Sequence, residues 1–223
     1  MGTLFVVGTP IGNLKDITLR ALEIFRTVDA IFCEDTRVTS KLLTHYEISK
    51  PLFRADEVQE RDAAEKIVAL LEAGQSVALA TDAGTPCISD PGWRIVKRAR
   101  EVGAKIEVIP GVSSVTAALS IAGTDVSEFI FLGFLPHKKG RQTALKKIAI
   151  TESAIVLFES PHRIEKLLNE LAIYIPEREV VLTKELTKIF EAVYTGTAAE
   201  VVTKLKADKA DRGEFVMIIT ALG

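Results

Sequence analysis

Short apolar runs at 4–7, 30–33, 77–80 and 106–109 recur along the first half of the chain, rich in the residue types of buried strands and too short for helices. Between them lie stretches at 18–27, 39–46, 58–73 and 93–102 in which apolar residues return every three or four positions. Hairpins cannot satisfy such an alternation. It calls for a parallel sheet whose two faces are covered by crossover helices.

A helix rich in small residues is expected at 113–122, after which Gly123-Thr124-Asp125 breaks the pattern and 129–134 begins a new strand. The domain boundary is therefore expected there, giving an N-terminal α/β domain over 1–122 and a C-terminal one over 123–223. In the second half, strands are expected at 155–158, 180–183, 192–194 and 215–220, with helices at 141–149, 163–174 and 198–206. The consecutive strands at 180–183 and 192–194, with no helix between them, make this second sheet mixed.

Gly and Pro gather where the first-half strands end: Gly8-Thr9-Pro10-Ile11-Gly12-Asn13, Asp82-Ala83-Gly84-Thr85-Pro86 and Pro110-Gly111-Val112-Ser113-Ser114. In a parallel sheet these loops share the carboxyl edge, where ligands bind and helix N-termini offer unpaired N–H groups. Turn geometry alone also demands Gly and Pro there. Three successive loops carrying Asp82, Thr85, Ser113 and Ser114 favour a ligand site.

Dinucleotide and P-loop fingerprints are absent, no Ser occupies a nucleophile elbow, and His45, His137 and His162 lack metal-ligand spacing, so no metal is expected. Polar clusters follow buried strands at Glu34-Asp35-Thr36-Arg37, Phe158-Glu159-Ser160-Pro161-His162-Arg163 and Thr183-Lys184-Glu185. Each suits either helix caps and surface ion pairs or a charged cleft. With 28 Lys and Arg against 30 Asp and Glu, the net charge of -2 creates no general attraction for polyanions, so nucleic-acid binding would need a local patch. The one dense basic run, His137-Lys138-Lys139-Gly140-Arg141 with Lys146-Lys147, is either that patch or a solvated helix face. Two cysteines at unrelated positions, no basic leader before the first apolar run and no membrane-length apolar stretch lead to the expectation of a cytoplasmic protein.

Taken together, Val7-Gly8-Thr9-Pro10-Ile11-Gly12-Asn13-Leu14, Cys33-Glu34-Asp35-Thr36-Arg37 and the run from Asp82 through Ser89-Asp90-Pro91-Gly92 resemble the ribosomal RNA small subunit methyltransferase I branch of the tetrapyrrole methylases. Pro110-Gly111-Val112-Ser113-Ser114, Phe131-Leu132-Gly133-Phe134-Leu135-Pro136 and Phe158 to Arg163 continue the likeness, which runs nearly end to end. It implies two α/β domains with S-adenosylmethionine in the cleft between them, a homodimer, and methylation of a cytidine 2′-hydroxyl in the decoding region of 16S ribosomal RNA. It also implies that Pro10, Asp82, Ala83, Gly84, Thr85, Ile88, Ser113, Ser114, Phe158 and Glu159 contact the cofactor. Glu34, Asp35, Lys184 and Glu185 are candidates for proton removal or ribose positioning, and Arg37 and Arg163 for phosphate clamping, with Lys138, Lys139 and Arg141 as further RNA contacts. Members of this branch usually continue past the last strand, whereas this chain stops at Thr220-Ala221-Leu222-Gly223. The rival readings are a small-molecule methylase of the same fold, acting on a tetrapyrrole or another acceptor, and a non-catalytic RNA-binding protein.

Overall fold

The alternation of the first half is realised as β1 (Thr3–Val7), α1 (Leu19–Thr27), β2 (Ala30–Cys33), α2 (Thr36–His45), β3 (Leu52–Arg54), α3 (Glu60–Glu72), β4 (Val77–Ala80), α4 (Trp93–Glu101) and β5 (Lys105–Ile109) in a computed structural model that describes residues 1–210 and 212–222. The strands form a wholly parallel sheet in the order β3-β2-β4-β1-β5. Its pleat divides the apolar residues between two cores. Ile31, Cys33, Ala78 and Ala80 pack with α1 and α2, whereas Ala30, Phe32, Val77 and Leu79 pack with α3 and α4. Phe25 and Phe32 are completely buried, one in each core, and each such burial contributes about 2 kcal/mol.

Caps set the helix starts. Thr18 accepts from Ala21 N at 3.1 Å to open α1, and Asp35 accepts from Arg37 N at 2.8 Å to open α2. The strand β3 is absent from the sequence expectation because its three residues, two half-exposed and one exposed, behind Pro51 at the sheet edge, show no alternation.

The second half comprises α5 (Ser114–Ser120), β6 (Phe129–Phe134), α6 (Arg141–Ile150), β7 (Ala154–Glu159), α7 (Ile164–Tyr174), β8 (Glu179–Lys184), β9 (Ala192–Thr197), α8 (Ala198–Ala207) and β10 (Phe215–Ile219). The sheet order is β6-β7-β10-β8-β9, with β6 parallel to β7 and every other pair antiparallel, the mixed sheet expected from the consecutive strands. Leu157, Leu182 and Met217 share a core with Leu167 of α7 and Val201 of α8. The chain divides into two compact units after Ser113 rather than at 122/123, because α5 packs against β10 and belongs to the second unit.

Arg178, nearly buried, donates to the carbonyls of Thr151 and Ser153 at 2.9 Å, of Ile148 at 3.2 Å and of Thr220. It thereby ties the end of α6, the start of β7 and the end of β10 together. Among the described residues no helix is long and apolar enough to cross a membrane.

Candidate active site

In the first unit, the loops after β1, β4 and β5 are bonded to one another at the carboxyl edge. Gly8 N donates to Ile109 O at 3.0 Å, Thr9 N and Gly84 N exchange bonds with each other's carbonyls at 2.9 and 3.1 Å, and Thr85 Oγ1 reaches Val112 O at 3.3 Å. The buried Thr9 hydroxyl adds a bond to Thr81 O at 3.0 Å. Pro10, the 82–85 segment and Ser113 are thus brought to one edge, as the sequence leads one to expect. A Cβ on Gly8 would stand 2.9 Å from Gly111 N and Cα, so the first and third loops touch backbone to backbone.

The loop after β4 is strained. Cys87 and Ser89 hold φ at 71° and 61°, left-handed values that cost an L-residue about 1 kcal/mol each and that gather at ligand clamps. Its far end is anchored from outside: the buried Glu60 carboxylate accepts from Gly92 N at 2.8 Å and Arg94 N at 3.0 Å, and pairs with Arg94 Nη1 at 2.7 Å. Ile88 remains 46% exposed in the middle of the loop, an apolar side chain available to a ligand.

Carboxylates crowd the same edge. The Thr81 hydroxyl lies 2.9 Å from Asp90 Oδ2 and 3.3 Å from Glu34 Oε2, while Asp82 Oδ1 accepts from Asp35 N at 3.0 Å. Burial, reinforced by the charges of Glu34 and Asp82, pushes Asp90 up to about 6. Burial and then the Asp82 charge raise Glu34, and burial likewise raises Asp82. Asp35 behaves oppositely, because hydrogen bonds from the Arg37 side chain and backbone hold it well below the usual carboxylate range. Arg37 itself is 85% exposed and paired with Asp35 at 2.5 Å. Asp90 is an acidic residue that the sequence alone does not single out; its only signal there is a carboxylate inside a Gly/Pro loop at a strand end.

In the second unit, Phe158 closes β7 with its ring centroid 5.0 Å from Phe131 and 5.6 Å from Phe134, both edge-on. The buried Glu159 accepts from Ser160 N at 2.8 Å and pairs with Arg163 at 2.5 Å, leaving its Oε2 without a partner. Arg163 also donates to Leu135 O at 3.2 Å and its side chain is only 15% exposed, so it is spent on Glu159 and is not an open phosphate clamp. Arg141 is likewise no open phosphate contact, being buried, paired with Glu170 at 2.6 Å and bonded to Pro136 O. Lys138 and Lys139 are exposed. Lys184 is half-buried at the end of β8. Glu185, at φ 52°, accepts from Glu214 N and from Lys188 Nζ, both at 2.9 Å, which makes it the lock of a turn.

Residues 3–202 match the family described as Tetrapyrrole (Corrin/Porphyrin) Methylases. Ribosomal RNA small subunit methyltransferase I of Neisseria meningitidis serogroup B is 47% identical over 98% of this chain and 76% of its own length. The protein of the same name from Thermotoga maritima is 40% identical over 99% of both, so relatives exist with and without substantial further sequence. The solved uroporphyrin-III C-methyltransferase of Thermus thermophilus, complexed with S-adenosyl homocysteine, aligns at TM-score 0.66 over 99% of this chain and 97% of that one, a likeness of fold at 17% identity. The chain accordingly belongs to the tetrapyrrole methylases and, within them, to the ribosomal RNA small subunit methyltransferase I family.

Proposed function

We propose that the protein uses S-adenosylmethionine to methylate ribosomal RNA of the small subunit, and that the acceptor is a cytidine 2′-hydroxyl in the decoding region of 16S RNA. The observation that carries the reading is the set of interlocked loops at the carboxyl edge of the first sheet, lined by half-buried carboxylates, in a chain of this family. The residues present fit the cofactor. The Gly8–Gly111 contact keeps side chains out of the loop junction, Ile88 offers an apolar surface, and the Glu34, Asp82 and Asp90 cluster suits a cation. Pro10, Asp82, Ala83, Gly84, Thr85, Ile88, Ser113 and Ser114 are the proposed contacts, and the resemblance extends the same role to Phe158 and Glu159.

When bound, S-adenosylmethionine supplies a methyl group activated by its bond to a positive sulfonium, whose sulfur departs as a neutral thioether. The chain's own tasks are alignment of the hydroxyl oxygen with that methyl and removal of the hydroxyl proton. Glu34 is the proposed base: burial raises its proton affinity above that of an exposed carboxylate. Asp35, held ionised by Arg37, is better suited to positioning, a role also proposed for Lys184 and Glu185. Arg37, Lys138 and Lys139 are the proposed RNA phosphate contacts. A homodimer in the cytoplasm is part of the same proposal.

The test is transfer of labelled methyl to purified small ribosomal subunits that lack their own modification, with mass mapping of the product. The expected product is 2′-O-methylcytidine in the decoding region. Glu34→Ala is expected to cut turnover about 10²-fold or more with cofactor affinity nearly intact; unchanged turnover would exclude Glu34 as the base.

A further inference from the structure

A cavity of about 330 Å³ opens in the first unit between the loop after β1 and the exposed side of α2. Ile11, Leu14, Val38 and Leu42 give it apolar walls, Thr81 and Asp82 stand at its β4 end, and Lys41 stands on its lining from α2. Of the residues proposed for the cofactor, only Pro10, Asp82 and Ala83 reach it; Gly84, Thr85, Ile88 and Ser113 do not. The cavity therefore lies between the loops after β1 and β4, which supply Pro10 to Gly12, Leu14 and Thr81 to Ala83, and α2, whose Val38, Thr39, Lys41 and Leu42 are not among the proposed cofactor contacts. Two subsites meeting at a shared wall are what group transfer between two bound molecules requires.

The rim chemistry identifies the class of occupant. Leu14 and Val38 leave 38% and 39% of their surface exposed, apolar faces that nothing in the unit covers. Arg37 and Lys41 lie four residues apart on one face of α2, and Lys41 has no ion-pair partner among the described residues. Apolar walls, a carboxylate at one end and the Lys41 cation on the lining match a nucleotide: a flat base, a sugar bearing hydroxyls, and a flanking phosphate. The volume lies at the lower end of the roughly 300–1,000 Å³ of small-molecule sites, suited to one nucleotide and small for a macrocycle. Sequence-specific recognition of RNA targets unstacked bases splayed out of the helix, which a pocket of this kind accepts.

We propose that this cavity is the acceptor pocket, receiving one unstacked RNA nucleotide with its base against Leu14, Val38 and Leu42, its sugar toward Asp82 and a flanking phosphate on Lys41. The inference rests on the ribosomal RNA reading above and is tested separately from it. Wild-type protein is first assayed for methyl transfer to unmodified small ribosomal subunits, which tests that reading alone: no transfer removes it and this assignment with it. Val38→Trp, which fills the mouth, and Lys41→Met are then compared with wild type in transfer and in S-adenosylmethionine binding by calorimetry. For Val38→Trp, kcat/KM for subunits is expected to fall about tenfold or more, the loss of roughly one stacked base, while cofactor affinity stays within about twofold. For Lys41→Met, KM is expected to rise and the slope of log affinity against log salt to shrink by about 0.7, with Lys41→Arg restoring both; a merely structural role would leave that slope alone. Equal losses of transfer and cofactor binding in Val38→Trp would make the cavity part of the cofactor site and overturn the assignment. So would transfer kinetics and a salt slope in Lys41→Met that match wild type. Lys41 is exposed, so its variant reads the pocket even if Val38→Trp folds poorly.

Discussion

Replacing Glu60 with alanine removes the acceptor that holds both the N-terminus of α4 and the far end of the strained loop after β4. The residue is 1% exposed, and its carboxylate accepts from Gly92 N, Arg94 N and Arg94 Nη1 at 2.8, 3.0 and 2.7 Å. Loss of a helix cap costs about 1 kcal/mol and a buried N–H left unpaired costs about 1–3 kcal/mol, so a total of about 2–4 kcal/mol is expected. For a chain of this length that lowers Tm by about 5–15 °C. Glu60→Gln keeps an oxygen for the two backbone donors and loses only the charge on Arg94, for which about 1 kcal/mol, or about 2–4 °C, is expected. Burial raises the Glu60 pKa, but the hydrogen bonds from Arg94 and Gly92 outweigh it and leave the group below its ordinary 4.5. A depressed folded pKa contributes stability above the unfolded value and loses it as pH falls through the folded one. The gap in Tm between wild type and Glu60→Ala should therefore be constant near neutrality and narrow on acidification below about 4.5. Thermal melts of the purified proteins across pH measure this. Alanine and glutamine variants of equal Tm, or an alanine variant within about 1 °C of wild type, would refute the capping argument.

Asp90, raised from 3.8 to about 6, binds its proton more tightly in the folded state, so the stability it contributes is present below 3.8 and is lost as pH rises through about 6. Asp90→Asn is accordingly expected to gain Tm relative to wild type on going from pH 4 to near pH 7.5, read from melts at both; a flat difference would place no buried charge there. Arg163→Met strands the buried Glu159 carboxylate and should cost about 3–5 kcal/mol by denaturant titration. Adding Glu159→Leu should recover most of that loss, and simple additivity of the two substitutions would mean the pair is not coupled.

The parallel strands were legible in the sequence because both faces of such a sheet are buried, and Ala30–Cys33 and Val77–Ala80 are therefore apolar at every position. β3 was illegible for the opposite reason, being short, half-exposed and at an edge. The convergence of the Gly/Pro loops followed from the parallel sheet alone. What sequence could not supply was the pairing of charges. Arg141 and Arg163 stand in or near basic or polar motifs, yet Glu170 and Glu159, brought to them by packing, consume their charge. Asp90 and Glu60 act across gaps in sequence that no local pattern records. The division after Ser113 was likewise hidden, since nothing in a helix of small residues says which sheet it will cover.

The position of β1 between β4 and β5 has a consequence for how the molecule is born. Among the strands of that sheet, the first to leave the ribosome is the one whose neighbours, Val77–Ala80 and Lys105–Ile109, leave last. At about 5–20 residues per second, Thr3–Val7 waits roughly 4–15 s as an apolar strand with two open edges before Ala80 completes its first neighbour, and one edge stays open for about 1–6 s more until Ile109 is joined. Until Val77–Ala80 is made, β2 and β3 can pair with each other but are not neighbours of β1. Nascent chains halted before Val77 should therefore be the species that chaperones hold and proteases clear.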